Sequence, residues 1–249
     1  MREILKKTVT LTASDVDCHG LLRLSALLSY LQNMATEHAL LLEIDGEKMI
    51  REYNAVWMLA RLHLALARPI AYPDELTIRT YHRGATRAAA IYRDFDLFVG
   101  DELIGEATMS WVLADIRERR IIKPGSIPPV ADSPRPAAVK DLIPEKIKTP
   151  SEMRAAMVRP VTYSDTDING HMNNTKYADI ACDVIRFDLC RGQFISQVQI
   201  NYLQECFPGD DILVQRAEAG GAHFVRGTDS AGQARFEVRI RLADSPITP

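Results

Sequence analysis

Cysteine is scarce: Cys18, Cys182, Cys190 and Cys206 are the only four in 249 residues. None forms a C-x-x-C pair, and no Cys/His cluster has zinc-ligand spacing. That pattern excludes a disulfide framework and a structural zinc site, and no metal or other cofactor is expected. Free thiols suit a reducing compartment, so a cytoplasmic location is the expectation. Long apolar runs are missing too, and nothing approaches the ~20 apolar residues of a membrane-spanning helix. No apolar run follows the charges of Met1-Arg2-Glu3-Ile4-Leu5-Lys6-Lys7, so a signal peptide is not expected. Excess positive charge is absent: the net charge is −3. That argues against a broad nucleic-acid-binding surface, and no helix-turn-helix or basic tail stands out. No G-x-S-x-G elbow of a serine hydrolase occurs. What is present, 47% hydrophobic and 25% charged residues, is ordinary for a globular chain able to bury one large core or two small ones.

The chain repeats itself. Ser14-Asp15-Val16-Asp17-Cys18-His19-Gly20 matches Ser164-Asp165-Thr166-Asp167-Ile168-Asn169-Gly170 at four of seven positions. Each copy precedes a helical stripe. Leu24, Leu27, Leu28, Leu31, Met34 and Ala35 follow the first, and Tyr177, Ile180, Ala181 and Val184 follow the second. Asn173 or Asn174 is placed to cap the second helix. Gly46 and Gly192 lie near the expected helix ends.

Strand-like alternation follows each helix. In the first half it runs through Ala60–Leu66, Leu76–Thr80, Ile91–Val99 and Ala107–Ile116. In the second it runs through Val198–Tyr202, Ile212–Arg216, His223–Gly227 and Arg235–Leu242. Seven of the thirteen prolines fall between Pro124 and Pro150, which reads as a surface linker. The expected organisation is an N-terminal domain over 1–123, a proline-rich linker over 124–150 and a C-terminal domain over 151–249. Each domain reads as one long helix wrapped by a curved antiparallel sheet. The class is α+β, as two tandem hot-dog domains forming a pseudo-dimer. Too little helix is present to cover both faces of a doubly wound sheet.

Polar chemistry concentrates in the loop from Ser164 to Tyr177. Asp167, Asn169 and His171 fall at two-residue steps, so an extended segment would aim them into one cavity. The helix behind them offers unpaired N–H groups that could hold an oxyanion. Clusters of this kind before a helix are commonly only a turn and a cap, which is the better reading of Asn173 and Asn174. Glu205 and Cys206 end a strand. One could serve as general base and the other as nucleophile if either meets His171.

The loop resembles the D-x-N-x-H-x-N-N-x-K-Y signature of plant and bacterial acyl-acyl carrier protein (acyl-ACP) thioesterases. Gln204-Glu205-Cys206 is similar to the E-C pair of that family. Leu31–Ala39, Val56–Arg61 and Ser110–Asp115 resemble its first helix, its first central strand and the strand closing that unit, so the likeness runs through nearly the whole chain. It implies hydrolysis of fatty acyl-ACP to free fatty acid and carrier thiol, in fatty acid biosynthesis. It implies catalytic positions at Asp167, Asn169, His171 and Glu205, with Cys206 on a position once assigned as nucleophile. Asn174, Leu31, Met34 and Trp57 are the candidates for holding substrate, although Leu31 and Met34 read first as ordinary core. Gly170 departs from the larger polar residue usual in plant members, which would loosen the loop. A transit peptide of the plant kind is not expected.

The expected partner is acyl carrier protein, which is acidic. Arg79, Arg83 and Arg87, or Arg117, Arg119, Arg120 and Lys123, are candidate docking clusters. Nucleic acid and membrane are not expected as partners, and homo-oligomerisation stays open. The alternatives are an acyl-CoA thioesterase of the same fold and a non-catalytic acyl-thioester binding protein.

Overall fold

The computed structural model describes residues 4–85, 89–131 and 142–245. Contacts divide the chain into two compact units. One contains Met1–Thr10, Ser29–Leu64 and Asp74–Pro144; the other contains Leu11–Leu28, Ala65–Pro73 and Glu145–Pro249. Two pieces of the first half of the sequence, including the first repeat loop, therefore belong to the second unit. Backbone hydrogen bonds join those two pieces: Leu22 N–H donates to the Ile70 carbonyl at 2.8 Å and Tyr72 N–H to the Gly20 carbonyl at 3.0 Å.

The first unit is built on β1 (Ile4–Thr10), β2 (Ala55–Leu66), β3 (Glu75–Ala85), β4 (Ile91–Val99) and β5 (Glu102–Asp115). Their order in the sheet is β1-β3-β4-β5-β2. Helix α1 (Leu24–Leu41) carries the expected stripe. Leu31, Met34 and Ala35 are all buried on it. A second helix, α2 (Gly46–Tyr53), stands where none was expected from the sequence. Gly46 therefore opens a helix instead of ending one: the Asp45 carboxylate accepts the Lys48 N–H at 3.0 Å and caps α2.

The proline-rich stretch is not simply a surface linker. Strand β6 (Ile121–Ile122) leads into a 3-10 turn at Pro124–Ser126 and the one-turn helix α3 (Pro128–Ala131). Proline is tolerated in a first helical turn, where its missing N–H would have had no partner. Ile127 and Val130 bury into a cluster with Ile44, Met49 and Ala55. Pro134 and Pro136 lie outside the described residues.

The second unit contains β7 (Arg154–Pro160), α4 (Lys176–Ile185), β8 (Gln193–Tyr202), β9 (Asp211–Ala219), β10 (Ala222–Thr228) and β11 (Ala234–Asp244), with sheet order β8-β11-β10-β9-β7. Ten residues are too few for a helix stable in isolation, so α4 depends on packing. Tyr177, Ile180, Ala181 and Val184 supply it, each nearly inaccessible to solvent. The Tyr177 ring meets Phe236 of β11 at 4.9 Å and Tyr202 of β8 at 5.6 Å. Helix α4 ends at Arg186 in left-handed backbone, with its N–H returned to the Asp183 and Cys182 carbonyls, and Gly192 instead completes the turn into β8.

Below α4, β10 comes close to the Phe236 ring. A Cβ on Gly227 would lie 2.1 Å from Phe236 Cε1. Because that ring is fully buried against Tyr177, it has nowhere to retreat. Gly227→Ala should lower the unfolding free energy by about 1–3 kcal/mol in urea melts, the usual cost of overpacking. Gly46→Ala, where a Cβ meets nothing, should not. Equal midpoints for the two variants would contradict the packing described.

Candidate active site

The second repeat loop leaves β7 through a bidentate ion pair. Arg159 donates from Nη2 to Asp165 Oδ1 at 2.5 Å and from Nη1 to Oδ2 at 3.0 Å. The same carboxylate accepts the N–H and hydroxyl of Thr162. Burial raises the pKa of Asp165, but the hydrogen bonds from Arg159 and Thr162 outweigh it, and the net shift is downward.

The loop is a closed turn, not the extended segment expected. Asp167 N–H donates to the His171 carbonyl at 3.1 Å and Gly170 N–H to the Asp167 carbonyl at 3.0 Å. Gly170 sits at φ +77°, in left-handed backbone that glycine adopts freely. It is a former of the turn, where the sequence suggested only looseness. The Asp167 carboxylate is turned onto the loop itself, accepting Asn169 N–H at 2.8 Å and Asn173 Nδ2–H at 3.2 Å. Asn173 Oδ1 in turn accepts the N–H and hydroxyl of Thr175, and Lys176 N–H goes to the Asn173 carbonyl. Two of the N–H groups at the start of α4 are thus taken inside the loop. Thr175 is the helix N-cap, and Asn174 sits half-buried beside it.

One backbone bond joins this loop to the end of β8: Met172 N–H donates to the Cys206 carbonyl at 2.8 Å. It brings His171 Nε2 to 3.6 Å from Glu205 Oε1, with the histidine side chain 19% exposed and the glutamate 50% exposed. Phe207 meets the imidazole edge-on at 6.3 Å. Arg235 of β11 fixes the other side of the segment. Its Nη1 donates to the Glu205 carbonyl at 2.9 Å and to Gln204 Oε1 at 3.1 Å. Asn169 is exposed at the tip of the turn.

Cys206 is fully buried. Burial pushes its thiol pKa up, and the hydrogen bond from Tyr177 only partly offsets that. A thiol so placed is a poor source of thiolate.

The first repeat loop has the same backbone. Asp17 N–H donates to the Leu21 carbonyl at 2.8 Å, Gly20 stands at φ +73°, and the Asp17 carboxylate accepts His19 N–H. Leu22 N–H reaches the Ile70 carbonyl as Met172 N–H reaches that of Cys206. These bonds make Leu21 the counterpart of His171 and Pro69 the counterpart of Glu205. The scaffold is present twice, but the imidazole–carboxylate pair occurs once.

A model of the acyl-ACP thioesterase N-terminal domain matches residues 3–125, and one of the C-terminal domain of that enzyme matches residues 148–243. The chain belongs to the acyl-ACP thioesterase family. It is a thioester hydrolase with the hot-dog fold. The chloroplastic dodecanoyl-[acyl-carrier-protein] hydrolase of Cinnamomum camphora is 25% identical over 97% of this chain and 69% of its own length. The crystal structure of an acyl-ACP thioesterase from Bacteroides thetaiotaomicron shares the fold, with a TM-score of 0.80 at 22% identity over 96% of this chain and 98% of that one. The 12:0-ACP thioesterase of Umbellularia californica gives 0.81 at 19% identity, over 97% and 98%.

In this thioesterase His171, Glu205, Asp167, Asn169, Asn174 and Cys206 all lie in the second unit. Leu31, Met34 and Trp57 lie in the first. Leu31 and Met34 are core, and Trp57 donates from Nε1 to the Ile44 carbonyl and packs edge-on against Trp111. The sequence reading missed Arg159 and Arg235. As charged residues on alternating strands they look like solvent-facing positions. The first candidate docking cluster also changes: Arg83 is bound to Asp94 and Arg79 to Asp96, while Arg87 lies outside the described residues. Both pairs join β3 to β4, which sequence distance hides.

Arg159→Met would leave the buried Asp165 carboxylate without its main donor. The expected loss is about 1.5–3 kcal/mol, the range for hydrogen bonds to a charged group. The lowered pKa fixes the sign of the pH dependence. Asp165 stabilises the fold above the ordinary carboxylate pKa, and this contribution disappears as acid protonates the folded state. Thermal melts of the two proteins should therefore differ at neutral pH and converge in strong acid. A constant difference throughout would contradict the assignment.

Proposed function

We propose that this enzyme hydrolyses the thioester of a fatty acyl chain carried on acyl carrier protein, in fatty acid biosynthesis in the cytoplasm, with Glu205 and His171 as its working pair. The observation that carries this reading is the approach of His171 Nε2 to Glu205 Oε1, 3.6 Å apart at a half-open position, on a loop whose twin has leucine and proline there.

Glu205 takes a proton from water as its oxygen attacks the thioester carbonyl carbon. A tetrahedral oxyanion forms. It collapses by breaking the C–S bond; the proton that Glu205 took from water passes to His171 Nε2, which delivers it to the departing thiolate, so both side chains return to their starting states. In this reading Asn169, exposed at the tip of the turn, donates its amide to the oxyanion. Asp167 acts as a positioning residue, since both its oxygens already accept loop donors, and its twin Asp17 likewise collects the His19 and Leu21 N–H groups, through Oδ1, on a loop without the histidine. Water is favoured over Cys206 as nucleophile because that thiol is buried and its pKa raised. The resemblance alone assigns Leu31, Met34 and Trp57 to the acyl chain.

Thiol release from an acyl-ACP substrate tests the pair. A positioned acid or base contributes ~10²–10⁴ in rate. Glu205→Gln and His171→Ala should each lose kcat on that scale, while Cys206→Ala keeps most of it. A dead Cys206→Ala beside an active Glu205→Gln would reverse the assignment.

The surviving candidate for carrier docking is the exposed turn between β5 and β6, with Arg117, Arg119 and Arg120, together with Lys123 just after β6; Arg120 is engaged with Glu118. Arg117→Glu with Arg119→Glu should raise KM for the acidic carrier and flatten its salt dependence, with kcat on an acyl-pantetheine substrate unchanged. An unaltered carrier KM would remove this surface from consideration.

A further inference from the structure

The second unit holds a cavity of about 620 Å³ that includes none of His171, Glu205, Asn169 or Cys206 in its wall. Its wall does include Asp17, Cys18, Leu21, Pro69 and Ile70. By the matching backbone bonds these are the counterparts of Asp167, Ile168, His171, Glu205 and Cys206. The cavity therefore opens where the first loop would carry its chemistry if it had any. The opposite wall comes from α4 and the segment after it, with Ile180, Phe187 and Phe194 providing an apolar surface. His19 fastens the loop to that segment, approaching the Phe187 carbonyl at 3.3 Å and the Phe187 ring edge-on.

The polar part of the lining is close to neutral, with four cations against five carboxylates. Most of the cations are engaged: Arg159 with Asp165, Arg186 with Asp188 and Lys176 with Asp179. Outside those pairs stand Asp17 and Asp183 against Arg23, whose Nε donates to the Val16 carbonyl, so a fatty-acid carboxylate entering here would add to a net negative lining. A neutral ligand with amides at one end and an alkyl chain at the other fits both the charge and the volume, which falls in the usual range for small-molecule sites.

We propose that this cavity is a second acyl-thioester site, which binds the acyl-pantetheine arm without cleaving it because Leu21 and Pro69 replace the imidazole and the carboxylate. The ligand class rests on the thioesterase reading above; the site itself rests on the cavity and the repeated loop.

The test uses the full chain and S-dodecylpantetheine, a thioether that cannot be hydrolysed. Calorimetry should give two equivalents bound by the wild-type protein. Cys18→Trp, on the exposed first loop, should lose one equivalent and keep the wild-type rate of thioester hydrolysis. A single equivalent in wild type, or two retained by Cys18→Trp, would overturn the proposal. Should that variant fail to fold, alkylation of Cys18 by N-ethylmaleimide in wild type gives the answer. Probe at ten times its Kd leaves about a tenth of the sites open and should slow alkylation about tenfold. An unchanged alkylation rate would sink the site. Laurate that displaces one equivalent as effectively as a second thioether would overturn the ligand class. Two equivalents bound with no hydrolysis of any acyl thioester would instead count against the catalytic reading and leave the second site standing.

Discussion

The hydrogen bond from Met172 N–H to the Cys206 carbonyl joins segments thirty-four residues apart, the turn before α4 and the chain leaving β8. Everything at the candidate site depends on where it holds them. It sets His171 against Glu205, while Arg235 grips the Glu205 segment from the next strand. On the loop side the Asp167 carboxylate gathers Asn169 and Asn173, and Asn173 gathers the start of α4. The helix is in turn held down by Tyr177 on Phe236. Each link is a polar group satisfied locally or an aromatic ring buried on the sheet, so little freedom remains for the backbone carrying the histidine.

The two repeat loops separate scaffold from chemistry. Their shared features are the aspartate that collects turn N–H groups, the left-handed glycine and the bond to a distant carbonyl. One difference lies in the backbone itself. In the first loop the Gly20 carbonyl accepts Tyr72 N–H. The position matching Tyr72 is Pro208, which has no N–H to offer Gly170. The second turn therefore lacks a fastening that the first has, on the side where Asn169 is exposed.

Much of this was legible in the sequence, for definite reasons. The stripe from Leu24 to Ala35 and the stripe from Tyr177 to Val184 are buried as their periodicity requires. Alternation located the strands that follow each helix. The polar loop was found by its repeat and its density of Asx, Gly and His. The meeting of His171 with Glu205 was not readable, because strand register and a single long-range bond decide it. Gly170 did carry a turn signal, and two-residue spacing was the weaker guide. Arg79 and Arg83 read as a basic patch because Asp96 and Asp94, their partners on the neighbouring strand, lie more than ten residues away in sequence. Helix α2 is only eight residues long, so Met49, Ile50 and Tyr53 make too short a stripe to stand out, and the Asp45 cap is the signal that could have marked it.

Apart from the approach of His171 Nδ1 to the Met172 carbonyl at 3.3 Å, the bonds that hold the Met172–Cys206 junction together run through backbone, Asp167, Asn173 and Arg235, and none of those bonds uses the Glu205 carboxylate. On the roles proposed for His171 and Glu205, structural integrity and turnover fall largely to different atoms of the site. An enzyme silenced at Glu205 would still present an intact surface to its carrier. That makes it a natural trap, able to capture the loaded carrier from a mixture and hold the acyl group uncleaved for identification.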